Sequence, residues 1–151
     1  MSITTKTGDD GYSSVVGKRL KKDNKIFEAI GTIDELQSMI DDEEIQRDLY
    51  EIMGCIATGN TITNYELRIT NLENEINKLE KILKPITNFL IFKKERSRRL
   101  NWVRTVVRRA ERRVVALQNY ELKITNYELI VIYLNRLSDY YYLLSRIEEE
   151  K

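Results

Sequence analysis

A run of threonine, lysine, glycine and serine near the start of the chain has the residue types that bind phosphate. Residues 5–14 read TKTGDDGYSS, and basic side chains follow at Lys18, Arg19, Lys21 and Lys22. Glycines let the backbone approach an anion closely, hydroxyl and N–H groups donate to phosphate oxygens, and lysines neutralise them. The segment lacks the spacing of a Walker A loop. It predicts either a polyphosphate site or a solvated N-terminal tail.

A second candidate is an arginine-rich segment. Between residues 93 and 113 there are ten basic and two acidic side chains. Several of them lie three or four positions apart and therefore share one face of a helix: Arg104, Arg108, Arg112 and, between the last two, Glu111. The crowded arginines repel one another, which favours an external anion such as a triphosphate, or acidic residues of a neighbouring subunit. The alternative is a solvated or salt-bridged face.

Two smaller polar sets lie within otherwise apolar helical patterns. Asp34 and Glu35 are placed to pair with the arginines, to hold a metal through water, or to form ordinary helix surface. Asn135 and Ser138, three positions apart, share a helix side from which they could reach a ligand. Spacing alone leaves these alternatives open.

Composition excludes several kinds of chemistry. The chain has no histidine, which removes Ser-His-Asp and Cys-His catalysis and histidine-ligated zinc. A single cysteine, Cys55, excludes an intramolecular disulfide and fits a reduced, intracellular setting. No apolar run approaches the length of a spanning helix, so we expect a cytoplasmic protein without a membrane partner. With a net charge of +1, the chain has no overall positive potential that would attract nucleic acid.

Six glycines and one proline in 151 residues favour long helices in a single domain covering residues 1–151. Apolar residues recur at steps of three and four from Ile26 onward. They predict an all-α, five-helix bundle over residues 26–150, preceded by a loop over residues 1–25. The five predicted helices, joined by short links, cover residues 26–42, 43–58, 69–83, 96–118 and 127–149.

A short repeat also occurs. The sequence NYEL begins at Asn64, Asn119 and Asn126. It lacks the copy number of a repeat array, so we interpret it as local duplication that lengthens helix ends and a connection.

Four segments, taken in order, resemble the PduO-type ATP:corrinoid adenosyltransferases. They are TKTGDDGYSS at 5–14, FEAIGTIDELQS at 27–38, RTVVRRAERRVVAL at 104–117 and LNRLSDY at 134–140. The resemblance implies a homotrimer of ferritin-like, up-and-down bundles with active sites between subunits. It also implies that cobalt(I) of a reduced cobalamin attacks C5′ of ATP, so that triphosphate leaves and adenosylcobalamin forms. Because the nucleophile is then the corrinoid's cobalt, the lack of histidine is no obstacle.

The resemblance also assigns residues. It implies that ATP, with Mg²⁺, is bound by Thr5, Lys6, Thr7, Gly8, Ser13, Ser14, Lys22, Arg108, Arg109, Glu111, Arg112 and Asn135. Arg104 and Arg108 resemble the catalytically important arginines of the family. Asp34 resembles an acidic partner that pairs with Arg108 across the subunit interface. Phe89 matches the aromatic residue that packs under the corrin and excludes a lower axial ligand. A flavoprotein reductase and an adenosylcobalamin-dependent enzyme are the implied protein partners.

Two alternatives to the adenosyltransferase activity remain. The segment after Phe89 runs into Phe92-Lys93-Lys94 where the family usually has proline and glycines, which is compatible with a binding module that does not turn over. The basic fourth helix is also compatible with nucleic-acid binding, although the near-zero net charge makes that the weaker alternative.

Overall fold

The fold is known from a computed structural model that describes residues 3–15, 17–118, 124 and 126–151. Five helices and two strands occur over these residues. In chain order they are β1 (Tyr12–Val15), β2 (Lys18–Lys21), α1 (Lys25–Ser38), α2 (Glu43–Thr58), α3 (Tyr65–Glu80), α4 (Glu95–Val115) and α5 (Tyr127–Glu150). The five predicted helices are therefore confirmed, with α1 ending four residues early and α3 beginning four residues early.

The prediction that residues 1–25 form a loop is wrong in part, because this segment contains a β-hairpin. Tyr12 pairs with Lys21 and Val15 with Lys18 in an antiparallel register. Gly17 has a φ of 69°, a left-handed conformation that favours glycine in so tight a turn. Val15 is buried and Leu20 packs against the core, so the hairpin is attached to the bundle through its apolar side chains. The strands are too short for a clear alternating pattern.

The boundaries of α2 follow from its capping residues. The Asp42 carboxylate accepts hydrogen bonds from the backbone N–H groups of Glu44 at 2.9 Å and Ile45 at 3.1 Å. Gly59 ends the helix in the left-handed conformation, and its N–H donates to the Cys55 carbonyl. An aspartate cap satisfies the orphan N–H groups of the first turn, and a glycine tolerates the positive φ that ends the helix.

An Asp42→Ala substitution is expected to lower the free energy of unfolding by about 1 kcal/mol, because it removes both cap hydrogen bonds. Urea denaturation followed by circular dichroism measures this change. Asp41→Ala is the matched control, since Asp41 is exposed and does not cap the helix. An equal loss in both variants would contradict the capping role of Asp42.

The helices pack in the neighbour order α2, α1, α4, α5, α3. The arginine-rich helix α4 therefore lies between α1 and α5. The core consists of the apolar faces that the three- and four-residue spacing predicted. Its fully buried members include Ile33, Leu36, Leu49, Ile52, Ile56, Val107, Val114, Ile130, Leu134 and Leu137.

A polar cluster links α2, α3 and α5. Arg68 forms an ion pair with Asp48 at 2.5 Å, and the buried Tyr133 hydroxyl donates to the same carboxylate at 2.8 Å. Burial raises the pKa of Asp48, although the hydrogen bond from Tyr133 and the charge of Arg68 oppose the rise. Burial also raises the pKa of Tyr133, so the phenol stays protonated and donates. Sequence patterning did not predict this cluster, because its members come from three helices.

The NYEL repeat has a structural role at two of its three sites. Asn64 and Asn126 directly precede α3 and α5, and both adopt the left-handed conformation, with φ of 58° and 60°. The Asn126 side chain also donates to the Ile62 carbonyl at 2.8 Å. The copy that begins at Asn119 lies outside the described residues. The two described copies thus begin helices, as expected for duplication at helix ends.

The connection between α3 and α4 is longer than predicted. It spans residues 81–94 and includes Pro85 and Phe89. Helix α3 ends at Glu80, although its apolar pattern continues to Leu83. The predicted short link is therefore replaced by a longer segment. This segment crosses the end of α5, and it contributes to the candidate site.

Candidate active site

The N-terminal hairpin brings together the predicted phosphate-binding residues. The Lys22 ammonium donates to the Gly8 carbonyl at 2.8 Å, which closes residues 8–22 into a compact unit. Arg19 donates to the Thr7 carbonyl at 2.9 Å and pairs with Asp10 at 2.6 Å. Thr5 and Thr7 share a hydrogen bond at 2.9 Å. Hydroxyls, an ammonium group and a loop backbone therefore lie on one exposed unit.

The Lys22 side chain approaches Gly8 closely. A Cβ atom at position 8 would lie 2.9 Å from the Lys22 Nζ and 3.3 Å from its Cε. A side chain there would push the ammonium group away from the loop. The glycine thus allows the Lys22 ammonium group to contact the loop backbone at its own carbonyl.

Arg104 and Arg108 face the same side of α4. Arg104 is half-buried, donates from Nε to the Asn101 side chain at 2.7 Å, and lies 5.8 Å from the centre of the Tyr142 ring. Arg108 is exposed, and no described side chain forms an ion pair or hydrogen bond with it. Burial lowers the pKa of Arg104, and the charge of Arg108 lowers it further. The two like charges therefore form a cationic face that an anion would stabilise.

Two other arginines of α4 are paired with carboxylates of α1. Arg109 forms an ion pair with Glu35, and Arg113 pairs with Glu28 at 3.3 Å. Both acidic partners lie on α1, so these pairs hold α1 against α4. The carboxyl that the sequence singled out, Asp34, is exposed and forms no ion pair with Arg108 inside the chain. Arg112 is exposed as well.

Glu111 and Asn135 lie together at the α4–α5 boundary. The Asn135 amide donates to the Glu111 carboxylate at 3.3 Å and accepts from Arg136 at 3.0 Å. Arg136 in turn pairs with Glu73 of α3 at 2.8 Å. This network of polar contacts fixes the orientation of the Asn135 amide. Ser138 is buried one turn further along α5.

Phe89 lies at the tip of the long connection, and its side chain is 99% exposed. An open cavity of about 710 Å³ lies beside it and includes Pro85, Leu90 and Arg146 in its lining. An aromatic ring that is almost fully exposed has no role in the core of its own chain. It presents an apolar surface outside the core.

The predicted site residues thus fall into three groups. In the N-terminal segment Lys22 contacts Gly8 and Thr5 contacts Thr7, and at the α4–α5 boundary Asn135 contacts Glu111. Phe89 lies on the connection before α4. Sequence reasoning missed the residues that hold this connection, Arg146 and Glu149. The sequence signal for Arg146 was a charged residue directly beside the apolar residues that form the buried face of α5.

Comparison with known proteins places the chain in a family. Residues 3–148 match the family model of cobalamin adenosyltransferases. The chain belongs to this family. The corrinoid adenosyltransferase MMAB of Bos taurus is 36% identical, with 95% of this chain and 70% of the relative covered. The corrinoid adenosyltransferase of Bacillus subtilis is 33% identical, with 97% and 86% covered.

Solved structures of the family agree with the fold. A variant of the PduO-type ATP:corrinoid adenosyltransferase from Lactobacillus reuteri, complexed with cobalamin and ATP, has a TM-score of 0.87 at 27% identity. The match covers 99% of this chain and 91% of that one. The prediction of a corrinoid adenosyltransferase, made from four ordered segments, is therefore confirmed, as is its transferase class.

Among residues 3–15, 17–118, 124 and 126–151, no three cysteine or carboxylate side chains cluster as a metal site. Mg²⁺ is commonly bound by substrate phosphates with one or two carboxylates, so such a cluster is not required.

None of the described helices is long and apolar enough to cross a membrane.

Proposed function

We propose that this chain transfers the 5′-deoxyadenosyl group of ATP to the reduced cobalt of a cobalamin. The cobalt(I) electron pair forms the new Co–C5′ bond, and the C5′–O5′ bond breaks with its electron pair leaving on triphosphate. The observation that carries the proposal is the cationic face of Arg104 and Arg108, on a chain that matches the family from residue 3 to residue 148. This face is suited to the charge that appears on the leaving group.

The hairpin is the proposed nucleotide clamp. Its phosphate-binding set is Thr5, Lys6, Thr7, Gly8, Ser13, Ser14 and Lys22. The Lys22 ammonium group contacts the carbonyl of Gly8, and the hydroxyl of the preceding residue, Thr7, shares a hydrogen bond with that of Thr5. Hydroxyl, ammonium and backbone donors can then contact successive phosphates. Mg²⁺ bound to the triphosphate would supply additional neutralisation of its charge.

The α4 residues complete the nucleotide site. We assign Arg108, Arg109, Glu111, Arg112 and Asn135 to it. Arg108 is the principal electrostatic residue, because it is exposed and forms no ion pair or hydrogen bond with a described side chain. The Asp139 carboxylate is near enough for its charge to interact with that of Arg108. Arg109 differs, since it already pairs with Glu35. The contact between Asn135 and Glu111 holds the amide at a fixed angle for a ribose or base.

The site is proposed to form between subunits of a homotrimer of up-and-down, ferritin-like bundles. Asp34 and Arg108 are both exposed and do not pair inside the chain. A contact between Asp34 of one copy and Arg108 of another would hold the guanidinium in place and leave some of its N–H donors for a phosphate. It would also join α1 of one subunit to the α4 face of its neighbour. Residues 1–25 would then bind the nucleotide, and residues 26–150 would form the supporting helical bundle of the same domain.

Phe89 is proposed to pack against the corrin face. Its exposed ring would exclude water and a lower axial ligand from the cobalt. The cytoplasm is the proposed location, where a flavoprotein reductase would supply the reduced corrinoid and an adenosylcobalamin-dependent enzyme would accept the product. These partners follow from the chemistry, because cobalt(I) must be generated and the product must be used.

An anaerobic absorbance assay with chemically reduced cobalamin and MgATP tests the reaction. We expect the adenosylcobalamin spectrum to grow, with one triphosphate released per cobalamin. Binding of both substrates without product would instead identify a non-catalytic binding module. Steeply salt-dependent DNA or RNA binding that ATP does not compete with would favour the nucleic-acid alternative.

Sedimentation equilibrium tests the assembly. The expected mass is three times 17.9 kDa, about 54 kDa. A charge reversal, Asp34→Arg, is expected to shift this mass toward the monomer and to lower activity, because two arginines would then face each other. A stable trimer with Asp34→Arg would contradict the proposed contact between Asp34 and Arg108.

A further inference from the structure

The connection that carries Phe89 is held at its first end by a buried arginine of α5. The Arg146 guanidinium is 5% exposed and donates from Nη2 to the Lys84 carbonyl at 2.7 Å. The same nitrogen contacts the Glu150 carboxylate at 2.9 Å. A buried charge needs such partners, and the Lys84 carbonyl is one of them. The link therefore fixes the backbone just before Pro85.

The other end of the connection is held one turn further along α5. The Glu149 carboxylate accepts hydrogen bonds from the backbone N–H groups of Lys93 at 2.9 Å and Lys94 at 3.1 Å. Lys94 occupies the N-cap position of α4 and makes no side-chain cap hydrogen bond of its own. Glu149 thus caps α4 from a different helix, where a negative charge is favourable.

Between these two anchors the connection has little support of its own. Residues 85–91 make no hydrogen bond to another described residue, and Phe89 and Ile91 are exposed. The Phe92 ring contacts Tyr142 edge-on at 6.2 Å, just before the second anchor. Arg146 also lines the cavities on both sides of the connection, and its Nε atom is buried without a partner. The position of Phe89 therefore depends on the end of α5.

We propose that Arg146 and Glu149 are positioning residues that set the affinity for the corrinoid by holding both ends of the Phe89 connection. This inference rests on the proposed function, because it takes the corrin to be the surface that Phe89 meets. Neither residue touches the nucleotide set. Their loss should therefore weaken corrinoid binding and leave nucleotide binding intact.

Three measurements on the full chain test this proposal: equilibrium dialysis with cobalamin, equilibrium dialysis with MgATP, and amide hydrogen exchange of residues 86–92 without substrates. For Glu149→Ala we expect the cobalamin Kd to rise about tenfold, as for the loss of one or two hydrogen bonds. The MgATP Kd should change less than about twofold, within the scatter of mutational effects on unconnected sites. Exchange of residues 86–92 should become faster.

Glu148→Ala is the matched control. Glu148 is the adjacent glutamate and pairs with Arg96 and Lys151, not with the connection. It is expected to leave the exchange and both dissociation constants unchanged. Arg146→Lys is the second test of the buried anchor, because a lysine keeps the charge and can donate to the Lys84 carbonyl. We expect it to retain more corrinoid affinity than Arg146→Met.

Unchanged exchange of residues 86–92 in Glu149→Ala would overturn the anchoring, whatever the activity. Equal weakening of cobalamin and MgATP binding would show a general loss of structure and would also overturn the proposal. A wild-type chain that binds cobalamin but forms no product would disprove the proposed reaction, while the binding comparison would still decide the role of the anchors.

Discussion

An Arg108→Ala variant is expected to form adenosylcobalamin about 10² to 10³ times more slowly than the wild-type chain, the loss typical of one preorganised transition-state donor. The residue is exposed and is not paired with a described side chain, so its removal should not disturb the fold. The charge it supplies meets the triphosphate as the C5′–O5′ bond breaks. We therefore expect kcat to fall more than the affinity for MgATP. Anaerobic absorbance kinetics at several ATP concentrations separate the two.

Arg113→Ala is the control for this variant. It removes an arginine from the same helix, but one that pairs with Glu28 of α1 at 3.3 Å. An exposed pair of this kind contributes about 0–1 kcal/mol to stability, and turnover should stay at the wild-type rate. Equal losses in the two variants would mean that the overall charge of α4 matters, rather than the position of Arg108.

A Phe89→Ala variant is expected to lower kcat/KM for reduced cobalamin by about 10- to 100-fold, since burying a phenylalanine against a ligand is worth about 1.5–3 kcal/mol. The side chain is 99% exposed in the free protein. The free energy of unfolding should therefore change by less than about 0.5 kcal/mol. Steady-state kinetics with varied cobalamin, together with thermal unfolding, measure both quantities.

Ile82→Ala is the matched change for Phe89. Ile82 is also an exposed apolar residue of the α3–α4 connection, 73% accessible, but it does not line the cavity beside Phe89. Kinetics close to wild type are expected. A Phe89→Ala variant with unaltered kcat/KM would show that the corrin binds elsewhere.

Much of the bundle could be predicted because local patterning determines it. The apolar face of α2, formed by Ile45, Leu49, Ile52 and Ile56, is buried as the three- and four-residue spacing indicated, between the Asp42 cap and the Gly59 stop. Such signals depend on neighbours within one or two turns. The family could be predicted from ordered motifs, which a single sequence contains in full.

The remaining features depend on contacts between distant parts of the chain. The hairpin was missed because each strand has four residues and its stability comes from Val15 and Leu20 packing on the bundle. The pairing of Arg109 with Glu35, rather than Asp34, depends on how α1 is rotated against α4. A rotation of α1 about its axis by one residue would place a different carboxylate opposite the arginine. The spacing of residues along a single helix does not determine this rotation.

The two described NYEL copies bear on how this chain could have lengthened. Each has an asparagine in the left-handed conformation followed at once by helix, so the unit contains its own boundary. Seven residues, the offset between Asn119 and Asn126, correspond to about two helical turns. A duplicated unit of this kind contains a complete start signal for the helix that follows it. In evolutionary terms, it is an insertion that a helical bundle can accept without rebuilding its core.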